Sequence, residues 1–161
     1  MAATILIADD DAVQRRLVEN MVQKCGYEPL VVDSGDAVVA LLTAPDAQPI
    51  DAVVLDLVMP GLDGLGVLAK MRDAGVNIPV IVQTAHGGID NVVSAMRAGA
   101  QDFVVKPASF ERLQVSLRNA LNTSALMLSP RLAAPACSVA RVSGQFVTQA
   151  AQRSDAALGF R

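Results

Sequence analysis

The sequence predicts an α/β fold in which five short parallel strands form one sheet with helices packed on both faces. Two observations predict it. Five short, β-rich apolar runs recur between residues 4 and 105, and each is followed by a stretch with apolar residues at helical spacing. Most of the helical stretches close at a glycine or before a proline, where helices stop. Strands buried on both faces read as near-continuous apolar runs, and parallel strands need helical crossovers.

The first run is Thr4–Ala8 (TILIA), ending in Asp9, Asp10 and Asp11. Val13, Leu17, Met21 and Val22 then mark a helix that stops at Gly26, and Asp11 with Gln14 resembles a capping box at its start. Glu28–Val32 (EPLVV) is the second strand. Val38, Val39, Leu41 and Leu42 lie in a short helix that ends before Pro45. Residues 52–57 form the third strand, and Leu65, Leu68, Ala69 and Met71 stripe the helix that closes near Gly75. Residues 78–83 are the fourth strand; Ile89, Val92, Val93 and Met96 line the next helix, closed by Gly99. Residues 103–105 are the fifth strand, and Phe110, Leu113, Leu117 and Leu121 line the last helix.

Composition agrees with a globular domain. Of 161 residues, 52% are hydrophobic and 18% charged, too apolar for a disordered chain. The net charge of −3 gives no reason to expect nucleic acid binding. The charge is uneven: residues 1–123 hold 9 Lys/Arg and 15 Asp/Glu, whereas residues 124–161 hold 4 Arg and 1 Asp. The later segment is rich in Ala and Ser, contains Pro130 and Pro135, and lacks Lys and Glu. It reads as a disordered tail or linker after a domain spanning 1–123, with a weak helical turn at Val142, Phe146 and Ala150. Cys25 and Cys137 are far apart, so neither a disulfide framework nor a zinc site is expected; Cys25 reads as a small core residue late in the first helix. No run approaches the roughly 20 apolar residues of a membrane span, and no signal segment opens the chain. A cytoplasmic protein is expected.

The polar residues that end the strands carry the chemistry. In a doubly wound sheet, ligands bind at the carboxyl ends of the strands. That rim receives Asp9 and Asp10 from strand one, Asp56 from strand three, Thr84 from strand four and Lys106 from strand five. Three neighbouring carboxylates repel one another. A hard cation such as Mg²⁺ removes the repulsion and also neutralises an incoming phosphoryl oxygen. Asp56 then serves as a nucleophile toward phosphorus, Lys106 balances the charge of the product and Thr84 bonds to it.

Residues 3–122 resemble the receiver domain of two-component response regulators. "ILIADDD" (5–11) is similar to the acidic motif of strand one, and "VVLDLVMPGLDG" (53–64) to the phosphoacceptor strand and loop. "TAHG" (84–87), "AMRAGAQDF" (95–103) and "VKP" (105–107) complete the set, in wording closest to NtrC-type receivers. The resemblance implies a flavodoxin-like (βα)5 fold with strand order 2-1-3-4-5. It implies phosphorylation of Asp56 by a sensor histidine kinase or phosphotransfer protein. Mg²⁺ is then held by Asp10, Asp56 and the Val58 carbonyl, with Asp9 acting through water. Thr84 and Lys106 would contact the phosphoryl group, Phe103 would be the aromatic switch, and the Lys106–Pro107 bond would be cis. The chain is then a signalling domain that assists its own phosphorylation and dephosphorylation, not a metabolic enzyme. Its output surface is helix four, strand five and helix five, through which it could form a homodimer. Arg97 and Arg112 are candidates for contacts there.

The sequence departs from the commoner pattern at two positions. Phe103 replaces tyrosine, so no hydroxyl is available at the switch. Val58 offers only its backbone, so no side chain steers an attacking water and slow autodephosphorylation is expected. Three decoys are set aside. "GLGVLA" (64–69) matches a dinucleotide fingerprint, but the next strand ends in Gln83 and not in an acid. No P-loop motif occurs, and His86, the only histidine, reads as a polar residue opening the fourth helix. An aspartate-based phosphatase would want an acid at position 58. A receiver-like interaction module that no longer takes phosphate is the alternative function. NtrC-type regulators continue into an ATPase and a DNA-binding unit, so the chain reads as either a stand-alone receiver or a shortened regulator.

Overall fold

A computed structural model of the chain describes residues 2–85 and 88–127. The elements are β1 (Thr4–Ala8), α1 (Ala12–Lys24), β2 (Glu28–Val32), α2 (Gly35–Thr43), β3 (Ala52–Asp56), α3 (Gly64–Asp73), β4 (Val80–Thr84), α4 (Ile89–Arg97), β5 (Asp102–Val105) and α5 (Phe110–Met127). The five strands are all parallel, in the order β2-β1-β3-β4-β5. The order reverses between β1 and β3, which opens a crevice at their carboxyl ends.

The sheet separates two apolar layers. Alternate residues of the central strands point to opposite faces. Leu6, Val53, Leu55 and Val82 pack with Val38 of α2, Val67, Leu68 and Met71 of α3, and Ala95 of α4. Ile5, Ile7, Val54, Ile81 and Val104 pack with Val18 and Val22 of α1 and with Leu113, Leu117 and Ala120 of α5. All five residues of β3 and of β4 are buried. The outer strands are not: β2 and β5 are half-exposed, because each has a neighbour on one side only. Pro29 is tolerated in β2 for the same reason, since an edge strand need not donate on its open side.

Local signals set the helix ends. The Asp11 carboxylate accepts from the backbone N–H groups of Val13 and Gln14, Ser34 Oγ accepts from Ala37, and the Asp63 carboxylate accepts from Gly66. Each satisfies amides that a helix start leaves open. Gly26, at φ +84°, turns the chain out of α1 where a side chain would be strained. Gly64 starts α3 against β3: a Cβ there would lie 2.6 Å from the Asp56 carbonyl oxygen and 2.7 Å from the Leu57 Cα. Both are backbone atoms and cannot move aside. Gly64→Ala is therefore expected to destabilise the domain by about 1–3 kcal/mol through overpacking, read as a lower midpoint in urea denaturation.

Some boundaries differ from the sequence reading. β3 ends at Asp56, β4 runs from Val80 to Thr84, and β5 starts at Asp102. Pro79 precedes β4 because it has no N–H for the ladder, although its carbonyl still accepts from Val53. α5 passes Asn122 and continues through Met127. No glycine or proline interrupts residues 123–127, and Ala, Leu and Met favour helix. Residues 124–127 thus continue the helix, and the compact unit ends at Ala125. The remainder of the expected tail, with Cys137 and the weak turn near Phe146, lies outside the described residues, as do His86 and Gly87. Cys25 is a half-buried C-cap of α1 and not a core residue; burial raises its thiol pKa, opposed by the charge of Arg118.

Candidate functional site

β1 and β3 place the acids in the crevice. Ala8 and Leu55 are paired in register, and the next residue on each strand is Asp9 and Asp56. Asp9 is fully buried and Asp56 is 5% exposed, while Asp10 is exposed on the open side. One carboxylate oxygen from each of Asp9, Asp10 and Asp56 lies within 4.8 Å of the others.

Lys106 closes the cluster from β5. Its Nζ donates to Asp9 Oδ2 at 2.6 Å and to Asp56 Oδ2 at 2.9 Å. The Lys106 N–H donates to the Thr84 carbonyl, which ties the end of β5 to β4, and the Lys106–Pro107 peptide is cis. Asp56 Oδ1 accepts from the Val58 N–H at 3.1 Å. Asp9 Oδ1 accepts from the Asp11 N–H, and its carbonyl accepts from Arg15 Nη1 at 2.7 Å.

Two opposed effects set the charges. Burial pushes the Asp56 pKa up and outweighs the bonds from Lys106 and Val58, with the nearby Asp9 charge adding to the rise. For Lys106, burial alone would lower the pKa, but the bonds to Asp9 and Asp56 dominate and hold it above the ordinary lysine value. The cluster is thus a buried, acid-rich group balanced by a single ammonium, and Asp10 adds a further acid on its open side. Oxygen donors in this arrangement suit a small, hard divalent cation.

The remaining predicted residues take distinct places. Thr84 is buried at the end of β4, and its hydroxyl donates to the Ala85 carbonyl at 3.1 Å. Gly88 lies against that hydroxyl, and a Cβ there would come within 2.9 Å of Thr84 Oγ1. The Val58 side chain is 65% exposed beside the acids. Phe103 is 37% exposed on β5, so its ring does not fill the core. Arg97 is exposed at the end of α4. Arg112 is tied to β5 while its side chain stays 43% exposed: its Nη2 donates to Asp102 Oδ1 and to the Phe103 carbonyl.

Sequence reasoning missed Arg15, Gly88 and the Asp102 anchor. Asp102 accepts from Ser116 Oγ at 2.6 Å, from Arg112 and from the Phe103 N–H, which pins α5 to β5. Burial would raise the Asp102 pKa, but these bonds outweigh it and the pKa is lowered. A depressed carboxyl pKa stabilises the fold above the unfolded value of about 3.9 and loses that contribution as pH falls through the folded value. Asp102→Asn should therefore melt below wild type at pH 7, with the gap closing as the pH drops below about 4, as followed by circular dichroism.

Acids at the switch point of a doubly wound sheet, closed by a lysine, mark this rim as the candidate site of an α/β domain. The family profile "Response regulator receiver domain" matches residues 5–118. The chain belongs to the receiver domain family of two-component response regulators. It is 30% identical to the transcriptional regulatory protein ZraR of Klebsiella oxytoca over 82% of this chain and 29% of that protein. It is 36% identical to the response regulator protein FleR of Pseudomonas aeruginosa over 66% of this chain and 22% of that one. The chain thus spans less than a third of the length of these two relatives. Among solved structures, a response regulator receiver domain protein from Clostridium thermocellum superposes with a TM-score of 0.73 at 29% identity, covering 78% of this chain and 99% of that one. NtrX from Brucella abortus gives 0.72 at 35% identity, covering 79% and 28%. Such relatives agree with the NtrC-type wording of the motifs. No helix among the described residues is long and apolar enough to cross a membrane.

Proposed function

We propose that the chain is a Mg²⁺-dependent phosphorylation switch whose phosphoacceptor is Asp56. The observation that carries this reading is the Lys106 ammonium held between Asp9 and Asp56 at the switch point, with Asp10 open beside them. None of these acids is needed to cap a helix, because Asp11, Ser34 and Asp63 do that work.

Asp10, Asp56 and the Val58 carbonyl would hold the metal, with Asp9 acting through water. When bound, Mg²⁺ would neutralise the acids and the incoming phosphoryl oxygens. An Asp56 oxygen attacks the phosphorus of a phosphohistidine on a sensor kinase or phosphotransfer protein. The P–N bond breaks, its electron pair stays on the imidazole nitrogen, and an acyl phosphate forms on Asp56. Lys106 turns from Asp56 to a phosphoryl oxygen, and the Thr84 hydroxyl leaves the Ala85 carbonyl to donate there as well. With no side chain at position 58 to orient a water, the acyl phosphate hydrolyses slowly.

The output follows Thr84. Phe103 moves inward behind it, and the face of α4, β5 and α5 changes shape. Ile89, Val93, Met96, Phe103, Val105 and Val115 are exposed apolar residues of these three elements, which suits a homodimer or a protein partner over nucleic acid. The domain acts in the cytoplasm.

Incubation of the purified chain with acetyl phosphate and Mg²⁺ tests the reading by intact mass. One phosphoryl adduct that disappears when Mg²⁺ is chelated is expected. A folded chain with no adduct would make it a phosphate-independent interaction module.

A further inference from the structure

Gln83 is a buried polar residue in a strand that is otherwise aliphatic up to its last position. It is 1% exposed, and its Nε2 has no hydrogen-bond partner among the described residues. Val80, Ile81 and Val82 precede it in β4, and an aliphatic side chain would satisfy the same position. An unpartnered buried amide is destabilising, so its presence calls for a reason.

The sheet register supplies one. Val54 and Ile81 both pack into the layer facing α1 and α5. Strand alternation then places Asp56 and Gln83, each two residues further on, at that same face. They are also direct register partners on adjacent strands. On its other side Gln83 pairs with Val104, which has no polar group. The hydrogen-bond acceptor in register with it on its own face is therefore Asp56. That carboxylate is at present supplied by Lys106 at Oδ2 and by the Val58 N–H at Oδ1.

We propose that Gln83 is a positioning residue for Asp56, whose Nε2 donates to the carboxylate when Lys106 leaves it for the phosphoryl group. The proposal rests on the phosphoacceptor reading above. A neutral amide orients the carboxylate that Lys106 has released, yet brings no positive charge to compete with Lys106 for phosphate.

Thermal melts of the full chain test the pairing. Gln83→Met is expected to melt above wild type, because it removes an unpartnered amide. In the Lys106→Met background, where Asp56 has lost its lysine, the same change is expected to lower the melting temperature. A shift of the same sign in both backgrounds would overturn the proposal, since Gln83 would then never meet Asp56. If Lys106→Met does not fold, labelling by acetyl phosphate decides alone. Gln83→Met should be labelled about tenfold more slowly at saturating donor, with the half-saturating Mg²⁺ concentration unchanged. Labelling of Gln83→Met at the wild-type rate sinks the positioning role while the phosphoacceptor reading stands. A wild-type chain that takes no label at all fails the phosphoacceptor reading, and the release of Lys106 falls with it.

Discussion

Lys106→Met should lower the folding stability of the domain by about 3–5 kcal/mol, the largest loss expected from a single side chain in the site. The lysine is the cation bonded to both Asp9 and Asp56. Removing it leaves two buried carboxylates facing each other across adjacent strand ends. The penalty is that of unpaired buried charge, and it exceeds anything the lost aliphatic packing could contribute, because methionine keeps most of the stem. Urea denaturation reads it as a fall in midpoint with the slope unchanged. A midpoint within experimental error of wild type would show that the two acids need no lysine to be held in the fold. Adding Mg²⁺ should recover part of the loss, since a ligand that binds only the folded state stabilises it.

The second large effect is expected at Asp56, with opposite signs for function and stability. Asp56→Asn should abolish the phosphoryl adduct, because the amide has no anionic oxygen to attack phosphorus. The same variant should melt above wild type at pH 7 without Mg²⁺. Burial raises the Asp56 pKa despite the bonds from Lys106 and Val58. The folded carboxyl thus holds its proton more tightly than the unfolded one, so ionising it weakens the fold. Wild-type stability falls as pH rises from about 4 through the folded pKa, and the full penalty is present above that. Asparagine does not ionise and escapes it. The gap in melting temperature should therefore be wide at pH 7 and shrink toward pH 4. Mg²⁺ should raise the melting temperature of wild type more than that of the variant. An adduct on Asp56→Asn, located by peptide mapping, would move the phosphoacceptor elsewhere.

The interior of the fold was legible where burial is two-sided. β1, β3 and β4 announce themselves as apolar runs because helices cover both of their faces. β2 and β5 were found as strands, but their half-exposure was not, since edge position is a property of strand order and not of the run itself. α5 outruns its apolar stripe, which fades after Leu121, and no glycine or proline stops it before Met127. The rim acids could be read because acids that end buried strands are costly and so stand out. What Lys106 does in the resting chain could not, because a bond between residues 50 and 97 positions apart leaves no local pattern. Arg112 shows the same limit: its sequence spacing suits an exposed helix face, yet Asp102 and the Phe103 carbonyl claim it. Gln83 was noticed as the end of a strand, but its isolation depends on the neighbouring strand.

The division of work between the caps and the cluster bears on inheritance. The starts of α1, α2 and α3 are held by Asp11, Ser34 and Asp63, and none of these belongs to the acidic group. A lineage can therefore replace Asp10 or Asp56 and still pass on a chain whose helices begin where they should. At Asp10 and Asp56, though not at Lys106, chemistry and architecture are separately mutable. A descendant with Asp56 replaced keeps its sheet and helix faces, and duplicated copies are free to diverge in their chemistry alone.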